Sequence, residues 1–269
     1  MKIAVAVLGV LVLAGSSTSP QSRQNGQTTA ATPQNTQITP TGNYNGNYNG
    51  NYNGNYMGND TSEVIGVPQN SPAFLALGDS YTIGEKVDSA SRWPVQLARS
   101  LRAAGVQVGD PQIIAKTGWT TDELAAGIEK VGVKGTHALV SLLIGVNNQY
   151  RGRNADEYRE QFRRLLDQAI GYAGGKAVRV IVVSIPDWGV MPFAQGRDRA
   201  KIGREIDQFN AIGKDESERA GAKWVDITPT SRAMQDGWAT SDGLHPSGAQ
   251  YEAWAALALE PAKKALVAK

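Results

Sequence analysis

The chain alternates short apolar runs with segments whose apolar residues recur every three or four positions. The runs are residues 73–77, closed by Gly78; 112–115; 138–144, closed by Gly145; 178–183; and 224–225 with Ile227. Nearly unbroken apolar runs of this length suit strands covered on both faces. Between them, Trp93, Leu97 and Leu101 share a helical face, as do Ile202, Ile206, Phe209 and Ile212. Thr120 with Glu123 reads as a capping box ahead of Leu124, Ile128 and Val131, and Asn154 with Glu157 does similar work ahead of Tyr158, Phe162 and Leu165. Tyr251, Trp254 and Leu257 mark a last helix. Strands alternating with helices predict an α/β fold. Its parallel sheet of about five strands joins through right-handed crossovers, with helices on both faces. In such folds the loops at the carboxyl ends of the strands carry the site.

The pattern is different before residue 72. Lys2 precedes twelve residues, 3–14, that are all apolar or glycine. As a helix they span about 18 Å, short of the ~30 Å hydrocarbon core of a bilayer. The small residues Ala14, Gly15, Ser16 and Ser17 follow, so residues 1–16 read as an export signal peptide. The stretch Leu13-Ala14-Gly15-Ser16 resembles a bacterial lipobox with Ser16 in the place of the lipidated cysteine, which argues against a lipid anchor. Residues 17–71 are rich in Gln, Thr, Asn, Ser, Pro and Gly and contain repeated Gly-Asn-Tyr-Asn units from Gly42 onward. Such a segment buries too little apolar surface to offset its ordering entropy, and it reads as a low-complexity disordered linker. Residues 72–269 form the one folded domain, and they hold all six tryptophans. The expected location is secreted, periplasmic or cell-envelope, with no membrane-spanning segment left after signal removal.

Composition narrows the chemistry. Cysteine is absent, which removes disulfides, thiolate metal sites and cysteine nucleophiles. Only His137 and His245 supply imidazole, so a three-histidine zinc site is excluded, and no metal is expected. With 27 basic and 25 acidic residues and no basic run, nothing points to nucleic acid.

Four clusters fall where the architecture puts a site: Gly78-Asp79-Ser80-Tyr81-Thr82, Thr117-Gly118-Trp119, Gly145-Val146-Asn147-Asn148 and Asp242-Gly243-Leu244-His245-Pro246. A serine hydroxyl needs an adjacent base to act as a nucleophile. His245 can take the proton, and Asp242, three residues earlier, can hold the imidazole tautomer. In this order and at these positions the four clusters resemble the SGNH hydrolases, the GDSL esterase/lipase family. The resemblance runs from Ala73 to the C-terminus.

It implies a flavodoxin-like three-layer α/β/α sandwich. It also implies a catalytic set of Ser80, Asp242 and His245, and an oxyanion hole made by the N–H groups of Ser80 and Gly118 and the Asn147 amide. The reaction it implies is hydrolysis of carboxylic esters through an acyl-enzyme, without a metal or organic cofactor. Small-molecule, polysaccharide or lipid esters and thioesters are the substrate classes.

Two positions depart from the family pattern: Tyr81 stands where leucine is common after the serine, and Asn148 where aspartate usually closes the third block. The Gly-x-Ser-x-Gly elbow of the α/β-hydrolases is absent, because Thr82 occupies its last place. Tyr81, Trp119, Asn148, Trp188 and Phe193 are the candidates for lining a substrate pocket. The apolar segment 187–193 serves equally well as a loop packed on its own core. Tyr150, Arg151 and Arg153 suit either a polar substrate or a solvated helix start. His137 and Asp79 read as structural, the latter bracing the loop around Ser80. The rival readings are a non-catalytic surface protein binding carbohydrate on the same scaffold, and a nucleotide binder. The first loop lacks the glycine spacing that the latter needs.

Overall fold

The computed structural model describes residues 70–267 apart from Met234. The expected signal peptide and nearly all of the expected linker lie outside the described residues. Five strands, β1 (Phe74–Gly78), β2 (Pro111–Ala115), β3 (Leu139–Leu143), β4 (Val180–Val183) and β5 (Lys223–Val225), form one sheet in the order β2-β1-β3-β4-β5. Every pairing is parallel. All residues of β1, β3 and β4 are buried, which is why those runs carry no polar alternation.

The helices are α1 (Ser80–Ile83), α2 (Trp93–Ala103), α3 (Thr121–Val131), α4 (Val146–Tyr150), α5 (Ala155–Tyr172), α6 (Arg199–Ala220), α7 (Thr228–Arg232) and α8 (Gly248–Val267). Helix α2 packs against α8, while α5 packs against both α3 and α6. The strand order reverses direction at β1, because the chain crosses from β2 over β1 to β3. Adjacent strands whose crossovers leave on opposite sides open a crevice at their carboxyl ends. Register sharpens the point. Gly78 pairs with Ala115 on one side and with Leu143 on the other, so three loops leave the sheet at one level.

Local chemistry explains the boundaries. At the start of α3, Glu123 Oε2 accepts from the Thr120 N–H at 2.9 Å, as the capping box requires. Asn154 Oδ1 accepts from the N–H groups of Asp156 and Glu157 at 2.7 and 3.3 Å and starts α5. The fourth strand is shorter than its apolar run. Residues Ala177–Arg179 form a 3-10 turn in which Val178 is exposed, and pairing begins at Val180. The final helix forms as expected, with Tyr251 and Trp254 in the core, but Leu257 faces outward at 44 % exposure. Among the described residues no helix is long and apolar enough to cross a membrane.

Candidate active site

The first loop is built to a tight specification. A Cβ on Gly78 would lie 2.2 Å from Thr82 Oγ1 and 2.5 Å from the Leu143 carbonyl oxygen, so only glycine lets α1 begin this close to β3. Asp79 caps α1: its Oδ1 accepts from the Tyr81 N–H at 3.0 Å. Asp79 is fully buried, and its Oδ2 has no partner among the described residues. Burial pushes its carboxyl up to about 7, against the hydrogen bonds from the Tyr81 and Asp79 N–H groups. Ser80 is the first residue of α1 and is 5 % exposed.

The second and third loops are tied together. Asn147, in α4, donates from Nδ2 to the Trp119 carbonyl at 2.9 Å, using one of its two amide hydrogens. Asn148 is wholly buried: its Nδ2 donates to Thr121 Oγ1 at 2.7 Å and its Oδ1 accepts from the Thr121 N–H at 3.1 Å. It therefore staples α4 to α3 and does not line an open pocket. An aspartate could only accept there, whereas the amide serves both partners. Arg151 donates to the Gly118 carbonyl at 2.5 Å and pairs with Glu123 at 3.1 Å, and Arg153 pairs with Asp122 at 2.8 Å. These two arginines brace the loops. Gly118 has φ +86°, a conformation that favours glycine. Gly145, at φ +128°, turns the chain where a Cβ would come within 2.7 Å of the Tyr158 ring. Trp119 is 8 % exposed and its ring lies on Gly127 of α3. Among the described residues, the backbone N–H groups of Ser80 and Gly118 have no acceptor.

The fourth loop holds an acid–imidazole pair. Asp242 Oδ2 lies 2.6 Å from His245 Nδ1, and its Oδ1 accepts from the Leu244 N–H (2.8 Å), the His245 N–H (2.9 Å) and the Thr240 hydroxyl (2.9 Å). Desolvation pushes the Asp242 carboxyl up, but the His245 ring and the N–H groups of His245 and Leu244 outweigh it and hold it at about 2. An ionised carboxylate facing Nδ1 requires that nitrogen to carry the hydrogen, which leaves Nε2 as the acceptor.

Tyr81 meets the His245 ring edge-on at 5.9 Å between centroids, and meets Trp254 at the same distance. The residue after Ser80 thus carries the His245 turn. Burial, then the nearby Asp79, Asp242 and Asp187 carboxylates, raise the Tyr81 phenol and keep it neutral. Tyr81, Trp188, Met191, Leu244 and Pro246 help to line a cavity of about 10 Å³, room for roughly one water. Trp188 is buried in the segment after β4 and donates from Nε1 to Gln149 Oε1 at 2.8 Å. Phe193 is half-buried, and its N–H donates to the Gly243 carbonyl at 2.9 Å, docking this segment on the His245 turn. His137 stands apart, buried against Tyr172, and burial lowers its pKa.

Three contacts were not visible as motifs. These are the Arg151–Gly118 bond, the Gln149–Trp188 bond, and the guanidinium of Arg197 over the rings of Tyr150, Trp188 and Phe193. Each joins segments far apart in the chain, and no spacing rule reaches them.

Known proteins share the fold and the family. No curated protein sequence matches the chain. Solved structures similar in fold include TesA, with 17 % identity and TM-score 0.57 over 70 % of this chain and 97 % of that one. They also include the acetylxylan esterase Axe2 from Geobacillus stearothermophilus, with 19 % identity and TM-score 0.55 over 73 % and 95 %. A third is the psychrotrophic esterase EstA from Pseudoalteromonas sp., with 16 % identity and TM-score 0.54 over 72 % and 97 %. The sequence model of the GDSL-like Lipase/Acylhydrolase family matches residues 76–253, nearly the whole of the folded domain. The chain belongs to the GDSL-like lipase/acylhydrolase family and is a carboxylic ester hydrolase.

Proposed function

We propose that the protein is an exported serine esterase that removes short acyl groups from extracellular esters, acetylated carbohydrates foremost. Ser80 attacks the acyl carbon while His245 Nε2 accepts the hydroxyl proton. Asp242 holds the imidazole in the tautomer that makes this possible. The tetrahedral oxyanion receives hydrogen bonds from the Ser80 and Gly118 N–H groups and from the second Asn147 amide hydrogen. His245 returns its proton to the leaving alcohol, then activates the water that releases the acid from Ser80. No step calls for a metal or an organic cofactor.

One observation supports this reading most: the Tyr81–His245 ring contact at 5.9 Å puts the acid–imidazole turn beside the loop of Ser80. Two backbone N–H groups without acceptors and an Asn147 amide with a spare hydrogen lie on loops that follow β1, β2 and β3. The short-acyl preference and the carbohydrate class are supported by the name of Axe2, an acetylxylan esterase. Export rests on the apolar run at residues 3–14 and the small residues after it.

A panel of p-nitrophenyl esters from acetate to palmitate, with acetylated xylo-oligosaccharides beside it, tests the reading. Acetate should be turned over fastest, and Ser80→Ala should lower kcat/KM by roughly a thousandfold or more. A phosphonate probe should label Ser80, as located by peptide mass spectrometry. Undiminished turnover in Ser80→Ala would overturn the mechanism, and a preference for palmitate would overturn the acyl assignment.

A further inference from the structure

The segment after β4 carries a cation that the mechanism does not use. The Arg197 guanidinium carbon lies 5.0 Å from the Phe193 ring centroid, 5.4 Å from Trp188 and 5.5 Å from Tyr150. These rings are themselves packed, Tyr150 to Trp188 at 5.4 Å and Trp188 to Phe193 at 6.1 Å. Ring faces attract a cation without using up its hydrogen-bond donors. Arg197 is exposed, and among the described residues its guanidinium meets no carboxylate. Three other arginines near the loops are engaged: Arg151 and Arg153 are paired with Glu123 and Asp122, and Arg232 with Asp187 and Asp207.

The three rings also fix where the cation stands. Tyr150 follows Asn147 by three residues on α4, so both lie on one side of that short helix. Trp188 shares its cavity with Tyr81 and Leu244, the neighbours of Ser80 and His245. Phe193 is hydrogen-bonded to Gly243, inside the turn of Asp242 and His245. Arg197 therefore sits on the β4 side of the site, held by rings from α4 and from the segment after β4, which docks on the His245 turn.

We infer that Arg197 is a substrate-binding residue, held on its aromatic platform to receive an anionic group on the alcohol portion of the ester. A carboxylate fits best, because a guanidinium offers it two parallel hydrogen bonds. Arg197 is exposed, which suits the outward-facing alcohol portion of an ester better than its acyl end. The natural substrate class is then an acylated alcohol bearing an acid, such as an acetylated uronic acid unit. This inference rests on the esterase reading above and deepens it.

The test uses matched esters with the full chain: the 2-, 3- and 4-acetoxybenzoates against the corresponding acetoxybenzamides, which keep the shape and remove the charge. For at least one isomer, the wild-type enzyme should favour the benzoate in kcat/KM, with the difference in KM. Arg197→Gln should lower the benzoate-to-benzamide ratio by about tenfold, the size expected for one charged hydrogen-bonded contact. Arg197→Lys should restore part of it.

A second measurement needs no variant. The wild-type ratio should fall as NaCl rises from about 20 mM to about 500 mM, since the contact is exposed to screening. A ratio that neither salt nor Arg197→Gln changes would overturn the inference while leaving the esterase reading intact. So would an equal fall on both esters, which is the mark of a structural clamp. Failure to hydrolyse any of the six esters would overturn both.

Discussion

Replacing Asp242 by Asn exchanges one oxygen for an amide nitrogen at constant volume, and the turn cannot accommodate the exchange. In the native turn one carboxylate oxygen receives the Leu244 and His245 N–H groups at 2.8 and 2.9 Å, while the other receives His245 Nδ1 at 2.6 Å. An amide oxygen can serve only one side. If it stays on the backbone donors, the NH₂ faces Nδ1. The imidazole must then accept at Nδ1 and carry its hydrogen on Nε2, where it can no longer take a proton from Ser80. If the amide turns over, the NH₂ confronts two backbone donors and leaves them unsatisfied, at about 1–3 kcal/mol each.

The unproductive arrangement is thus favoured by about 2–6 kcal/mol, or roughly thirtyfold to 10⁴-fold. Amide substitution of the acid in a serine triad costs about 10⁴ in kcat. We expect kcat for p-nitrophenyl acetate to fall by about 10³–10⁴ with KM little changed. Melting should stay within a few degrees of wild type. An Asp242→Asn enzyme within about tenfold of wild type would refute the tautomer argument. The sign of the pH effect is also set. The folded-state value of Asp242, about 2, lies below its ordinary 3.8. Its contribution to stability is therefore present above pH 3.8 and is lost as pH falls toward 2, so inactivation in mild acid does not come from protonating Asp242.

Three further outcomes are expected. Asn147→Ala should lower kcat by about 10²–10³, the usual loss for one oxyanion donor; a loss confined to KM would reassign Asn147 to substrate binding. Gly78→Ala should destabilise the fold by about 1–3 kcal/mol in urea unfolding, because its Cβ meets the Leu143 carbonyl, and an unchanged midpoint would contradict the packing. Asp79 binds its proton more tightly folded than unfolded, so the chain should lose stability as pH rises from 3.8 to about 7. The burial shift corresponds to about 4 kcal/mol over that window. Asp79→Asn should flatten the pH dependence of melting there, and a slope equal to wild type would show that Asp79 is ionised throughout.

The buried strands were legible because each is covered on both faces. β1 and β3 have no exposed residue to interrupt the run. The long amphipathic helices were legible from their period and their caps. The short helices α4 and α7 were not, since five residues are too few to show a period. At the site, the acid–imidazole pair could be read because its members lie three residues apart. The role of Asn148 could not, because its partner Thr121 is 27 positions away in another element. Gly127 misleads in the same way. In a helix it looks like a weak point, yet it is the slot that receives the Trp119 ring.

Helix α2 follows the first strand and α8 is the last element, yet they pack against each other. Ser80 precedes α2, and Asp242 with His245 precede α8. Chain synthesis is directional, so the serine leaves the ribosome long before its partner imidazole exists. A nascent chain or a C-terminally truncated fragment holds the proposed nucleophile and oxyanion loops but lacks His245. Closing the ring between the two ends is the step of longest sequence separation, and it pays the largest loop-closure entropy. Esterase activity should therefore appear all at once, when α8 docks, and make a direct clock for completion of the domain.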